Sequence, residues 1–245
     1  MSISVLIDQM ETMLSAMDVG DPLRLFHGTY TRTTKAVASE IARGGFADNE
    51  WAERWDVAFA DLYIDALRIW QAGERPSYPW QVALNACRGP HLPPLRYVLL
   101  GMNAHINFDL PQALLAVIST EEFDDPAVLT LRNADHVHID AILASRVAAE
   151  DGELKKAELP GDRTLLDVLL TPFNRLGTKR FLREARTKVW LNARRLNAAP
   201  MQGQESFAAT LAELETRSAE RVNDLRKPGQ VLLELSRNGF GVVLR

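Results

Sequence analysis

His105 and Asp109 stand four residues apart in the run LLGMNAHINFDLPQA, residues 99–113. On a helix that spacing stacks an imidazole and a carboxylate on one face, where they can share a hydrogen bond, a proton or a metal ion. A histidine oriented by a carboxylate is equipped to be a general base, and the same pair can hold a divalent cation. The run also holds Asn103, Asn107 and Gln112, with Pro111 two residues after the aspartate. That proline has no N–H for the carbonyl of Asn107 and its ring crowds it, so the helix is expected to kink or restart beside the pair.

The helix carrying these residues is predicted to span about 93–118, with Pro93 and Pro94 at its first turn. Leu99, Leu100, Ile106, Leu110, Leu114, Leu115 and Val117 leave it apolar on every side. A helix of that kind is surrounded by others. Its polar residues are then buried, at a cost of roughly 1–3 kcal/mol for each unpaired group. They must satisfy one another, hold an ion or face a cavity.

Other helices aim polar residues at the same interior. On a predicted helix 25–43, His27, Tyr30 and Thr34 share one face. A helix capped by Asp48 and running to Gln71 carries Trp51, Trp55, Phe59, Tyr63 and Trp70, which read as core or as the wall of an apolar ligand cavity. Its Asp61 reads as solvated, with Asp65 at the boundary. Along 126–149, Asp135 and His138 fall on the face of Ile139 and Ile142, while His136 and Asp140 turn towards its edge. Further helices are expected near 3–17, 79–87, 163–175, 177–198 and 204–226, and Asn238-Gly239 between VLLELS and FGVVLR signals a short C-terminal β-hairpin. The fold class is all-α, a multi-helix bundle-like domain around the central helix. Residues 1–200 form the helical domain with its polar site, and 201–245 a C-terminal helix and tail packed on it.

Composition narrows the functional classes. With 245 residues, 47% hydrophobic and 24% charged, the chain can build a sizeable core and is not of disordered type. It shows neither a membrane span nor a signal segment, and a cytoplasmic location is expected. Cys87 is the single cysteine, so a metal site would rest on His, Asp or Glu. Net charge is −4, yet residues 175–195 hold Arg175, Lys179, Arg180, Arg183, Arg186, Lys188, Arg194 and Arg195 against Glu184 alone. This basic helix either docks phosphate, anionic lipid or an acidic partner, or lies on the acidic body of its own chain or another subunit. The overall balance argues against nucleic acid. Phosphate-binding glycine loops, a nucleophile elbow and dinucleotide fingerprints are absent.

The segments FHGTYTRTTKAV, WDVAFADLYIDAL, LLGMNAHINFDLPQAL and DHVHIDAILA resemble, in that order, an uncharacterised bacterial family known only as a domain of unknown function. That resemblance covers roughly residues 20–200 and implies one module but no activity. Leu100-Gly101, His105, Asp109 and Pro111 are also similar to the pattern of the all-helical zinc-dependent phospholipase C and P1-type nuclease group. The latter similarity implies metal binding by His105 and Asp109. The histidine that should follow the proline is missing, as is a second HxxxE or HxxxD helix, which reduces the implied centre to a mononuclear one completed by His138, Asp135 or His27.

Three functions follow as expectations. One is an enzyme in which His105 is general base or metal ligand, Asp109 orients it or shares the metal, and Tyr30 is acid or oxyanion donor. His27, Thr34, Tyr63, Asn103, Asn107 and Asp135 would contact a small, largely apolar metabolite undergoing hydrolysis, with a divalent metal such as zinc held by His105, Asp109 and His138. A second keeps the acid–base pair without metal, for a cyclisation or elimination. The third is a non-catalytic helical module that binds a ligand or partner through the basic helix at 175–195. The expected partner of the first two is a small molecule, with homo-oligomerisation left open.

Overall fold

A computed structural model describes residues 1–156, 184–227 and 239–244. Ten helices are distinguished among them: α1 (Ile3–Ala16), α2 (Leu23–Ala42), α3 (Asn49–Gln71), α4 (Tyr78–Ala86), α5 (Pro94–Ala104), α6 (Leu110–Val117), α7 (Thr120–Phe123), α8 (Pro126–Lys156), α9 (184–198) and α10 (Gln204–Arg226). No β-strand occurs among the described residues, so the fold is all-α. None of their helices is long and apolar enough to cross a membrane.

Local chemistry sets the ends of these elements. Asp48 caps α3 by accepting the N–H of Trp51 at 2.9 Å, and Arg132 steadies the same carboxylate at 2.6 Å. Helix α2 closes with Gly44 at φ +70°, its N–H on the carbonyl of Ile41 and that of Gly45 on Glu40. This paired closure needs a left-handed residue, which glycine adopts without strain. The short α7 starts with a capping box between Ser119 and Glu122, a local signal that hydrophobic periodicity over so few residues does not show.

The predicted central helix is present as α5 and α6 joined by one π-helical turn, His105–Asp109. Helices α2, α4 and α10 pack on α5, and α3 packs on α6, which is why the segment is apolar all round. Leu100, Ala104, Ala113 and Leu114 are fully buried there, each large side chain contributing about 1.5–3 kcal/mol. Gly101 permits the closest approach: a Cβ at this position would lie 2.4 Å from the ring of Phe26. One turn further along each helix, this crossing puts Tyr30 of α2 beside His105.

The C-terminal hairpin is not borne out. Its first arm lies outside the described residues, and residues 239–244 carry no strand or helix assignment. Their backbone is held by side chains instead. Phe240 and Gly241 donate to Glu184 Oε2 at 3.0 and 3.2 Å, Val242 donates to Asn107 Oδ1 at 3.1 Å, and Leu244 donates to Asn192 Oδ1 at 3.0 Å. The carbonyl of Phe240 accepts from Asn103 and Asn107, that of Val242 from Asn192, and that of Gly241 from Lys188. Primary amides that donate and accept at once take the place of a neighbouring strand. Phe240, Val242 and Leu244, alternating as strand residues do, are buried.

The predicted helix 163–175 and the start of 177–198 lie outside the described residues, and so does the first part of the basic stretch, through Arg183. Within its described part, Lys188 pairs with Glu184 and Arg195 donates to the carbonyl of Leu244, so some of this charge is turned to the chain's own tail.

Candidate functional site

The π-turn answers the problem set by Pro111. An added residue in the turn shifts the hydrogen-bond register, and Leu110 donates to the carbonyl of His105 five residues back. Gln112 bends its side-chain amide onto the carbonyl of Phe108 at 2.8 Å, satisfying a group beside the break. The restart is therefore a π-turn, a feature frequent at functional sites.

Within it, His105 Nδ1 lies 2.8 Å from Asp109 Oδ2, and the indole N–H of Trp80 donates to the same oxygen at 2.7 Å. An indole only donates, so this oxygen is an acceptor, and we assign the imidazole proton to Nδ1. Nε2 is left with its lone pair. That atom is buried and has no hydrogen-bond partner among the described residues, and His105 as a whole is 3% exposed. Burial pushes the imidazole below its ordinary pKa, against the opposing pull of Asp109. Burial likewise raises the Asp109 carboxyl, against the hydrogen bond from His105 and that from Trp80.

Aromatic rings enclose the pair. Phe59 lies flat on the imidazole with centroids 3.5 Å apart and planes 3° from parallel, and Tyr30 meets its edge at 4.7 Å. Trp80, Tyr63 and Phe26 complete the ring at 5.8, 6.1 and 6.3 Å. The Tyr30 hydroxyl faces that of Thr34, and neither completes a hydrogen bond. Burial, followed by the Asp56 and Asp109 carboxyls, raises Tyr30 well above the ordinary phenol range, so it keeps its proton.

Asp56 is the residue the sequence reasoning missed. Its Oδ2 is buried without a partner, and burial alone pushes its carboxyl up to about 7. The available signal was its spacing: Asp56, Phe59, Ala60 and Tyr63 fall at helical intervals on one face of α3.

The remaining candidates divide plainly. His27 Nε2 faces the carbonyl of Met10 at 2.8 Å and must donate, so its Nδ1 accepts the Tyr63 hydroxyl at 2.8 Å. These two residues satisfy each other and tie α1, α2 and α3 together. Asn103 and Asn107 donate their side-chain amides to the Phe240 carbonyl of the tail, and Asn103 Oδ1 is buried without a hydrogen-bond partner among the described residues. Asp135 accepts the N–H groups of Ala47 and Asp48 at 2.7 and 3.1 Å, bracing the approach to α3.

The expected orientation of α8 needs correction. His136 is the inward histidine, accepting from Trp190 at 2.9 Å, while His138 is half-buried and bound to Glu40 at 2.8 Å. Helix α8 buries Leu129, Arg132, Asp135 and His136, with Ile139 and Ile142 partly buried against the core, so the departure from the expected face is that His136 and not His138 is the fully buried histidine. Burial, then Arg186, pushes His136 down to about 3. Of the other two aspartates on α3, Asp65 is exposed, whereas Asp61 is half-buried and its carboxyl is raised by burial.

The metal set His105, Asp109 and His138 is not brought together, because His138 is held by Glu40. No group of three His, Cys, Asp or Glu side chains is disposed for a metal ion among the described residues. His105 offers one lone pair, and Asp109 Oδ2 is already shared by two donors. Burial pushes the Cys87 thiol up to about 12, which disfavours the thiolate.

No curated protein and no solved structure matches the chain. Residues 3–228 match a family of unknown function, DUF5995, and the chain belongs to that family.

Proposed function

We propose that the chain is an acid–base enzyme acting on a small, largely apolar metabolite by proton transfer, of the kind used in an elimination or cyclisation. His105 Nε2 takes or returns the proton, Asp109 and Trp80 fix the imidazole, and Tyr30 donates a hydrogen bond to charge developing on the substrate. The observation that supports this is the asymmetry of His105: Nδ1 is fixed by a buried carboxylate, while Nε2 is buried, aromatic-walled and unpaired. A histidine serving only to hold helices together would use both nitrogens, as His27 does. The pair also has its supports on rigid elements, α4 and the π-turn, which proton transfer requires.

The test runs on an unidentified substrate. Wild type and His105→Gln are incubated with a small-metabolite extract in deuterated water and the extract is profiled by mass spectrometry. One compound is expected to be consumed, or to gain deuterium, with the wild type alone. Identical profiles for a folded His105→Gln would overturn the enzyme and favour the non-catalytic binding module.

A further inference from the structure

Four buried polar atoms around Tyr30 lack a completed hydrogen bond: Tyr30 Oη, Thr34 Oγ1, Asp56 Oδ2 and His105 Nε2. Three elements supply them, and Tyr30 lies beside Thr34 and within electrostatic reach of Asp56. Tyr30 and Thr34 are one turn apart on α2, Asp56 and Phe59 one turn apart on α3, and the rings of Phe59 and His105 meet Tyr30 at 6.1 and 4.7 Å. All four can accept a hydrogen bond, and two, the carboxylate and the imidazole lone pair, can do nothing else. Among the described residues no Lys, Arg or His offsets the Asp56 charge, and burial is the one influence on its carboxyl. A ligand bearing a carboxylate or phosphate would meet an uncompensated acidic group there.

We propose that the substrate is a small organic amine bound as its ammonium ion, with Asp56 as its anionic anchor and the Tyr30 and Thr34 oxygens taking further N–H groups. Aromatic rings gather around Tyr30, and a buried carboxylate among aromatic rings is a setting in which an ammonium ion replaces its lost hydration. The apolar remainder of the ligand faces Phe26 and Tyr63, whose rings pack at 5.1 Å. This rests on the acid–base site proposed above, which would place the carbon or heteroatom next to the amine within reach of His105 Nε2. Asp56 thus sets specificity, and His105 does the chemistry.

The full-length chain is titrated at about pH 8 with benzylammonium, phenethylammonium and cyclohexylammonium, each beside its alcohol and carboxylate isostere, by ligand-observed NMR and thermal shift. At least one amine is expected to bind roughly tenfold more tightly than its isosteres. Asp56→Asn is expected to lose that preference by a similar factor, with circular dichroism confirming the fold and Asp56→Ser as a second variant. Amine binding retained in His105→Gln supports the anchor even if that protein and the wild type process metabolites alike, so the two proposals fail separately. Isosteres that bind as well as the amines, amine binding unchanged in both Asp56 variants, or no binding by any of the amines would each overturn it.

Discussion

The ring of Phe59 covers one face of the His105 imidazole, with centroids 3.5 Å apart and planes 3° from parallel. His105 is almost wholly buried, whereas Phe59 is half-buried and so is the part of this stack nearest to solvent. Phe59 is thus the part of the cover whose removal is expected to open the imidazole to water. Phe59→Ala is expected to raise the His105 pKa towards its ordinary value, since burial is the chief cause of its depression. It should also speed carbethoxylation of the imidazole about tenfold, for a stability loss of about 1–3 kcal/mol. NMR titration of the imidazole checks this; an unmoved titration would show that the cover lies elsewhere.

Asp56 makes a measurable demand on pH. Between 3.8 and about 7 the unfolded chain ionises this aspartate while the folded chain keeps it protonated, so the folded state binds more protons. Stability contributed in this way falls as pH rises through that window, by an amount on the order of 4 kcal/mol, and the whole penalty is present above it. Asp56→Asn should therefore be more stable than wild type at about pH 8 and indistinguishable at about pH 3.5 in urea melts. A gain of equal size at both would place the effect in packing and not in ionisation.

His136 acts with the opposite sign. Its folded pKa of about 3 against 6.5 means that the unfolded chain takes up a proton first as pH falls. Stability is lost progressively from about 6.5 down to about 3, by an amount on the order of 5 kcal/mol. His136→Gln keeps an acceptor for the Trp190 N–H without titrating, and acid denaturation followed by fluorescence should begin at lower pH in this variant. An unchanged acid midpoint would clear His136 of that role.

The asparagines that hold the tail should rank by what each leaves unpaired. Asn192→Ala orphans the Val242 carbonyl and the Leu244 N–H, Asn107→Ala orphans the Val242 N–H, and after Asn103→Ala the Phe240 carbonyl keeps Asn107. Each orphaned buried group costs about 1–3 kcal/mol, so the loss of stability should decrease in that order, measured as urea midpoints. The order matters more than the magnitudes. A most damaging Asn103→Ala would mean that its role lies elsewhere.

Much of the fold was legible because local signals and tertiary packing agree. The helix around 93–118 announced its burial by being apolar on every side, and Asp48, Gly44 and the paired prolines marked ends where they are found. His105–Asp109 followed from spacing alone. What could not be read were partners distant in sequence. Asn103 and Asn107 donate to the Phe240 carbonyl across 137 and 133 residues, a partner that no local pattern around them announces. The orientation of α8 failed for a related reason, because Trp190 and Trp55 draw His136 inward and neither lies on that helix. Asp56 was legible in principle, but the large aromatics beside it dominated the face assigned to α3.

Residues 239–244 have no regular secondary structure, yet the amides of Phe240, Gly241, Val242 and Leu244 each donate to an oxygen of Glu184, Asn107 or Asn192. Protection against hydrogen exchange depends on such bonds and on the rarity of their opening, not on dihedral class. In deuterated water these four amides should exchange as slowly as those of α5, so that a segment irregular in outline unfolds only with the core.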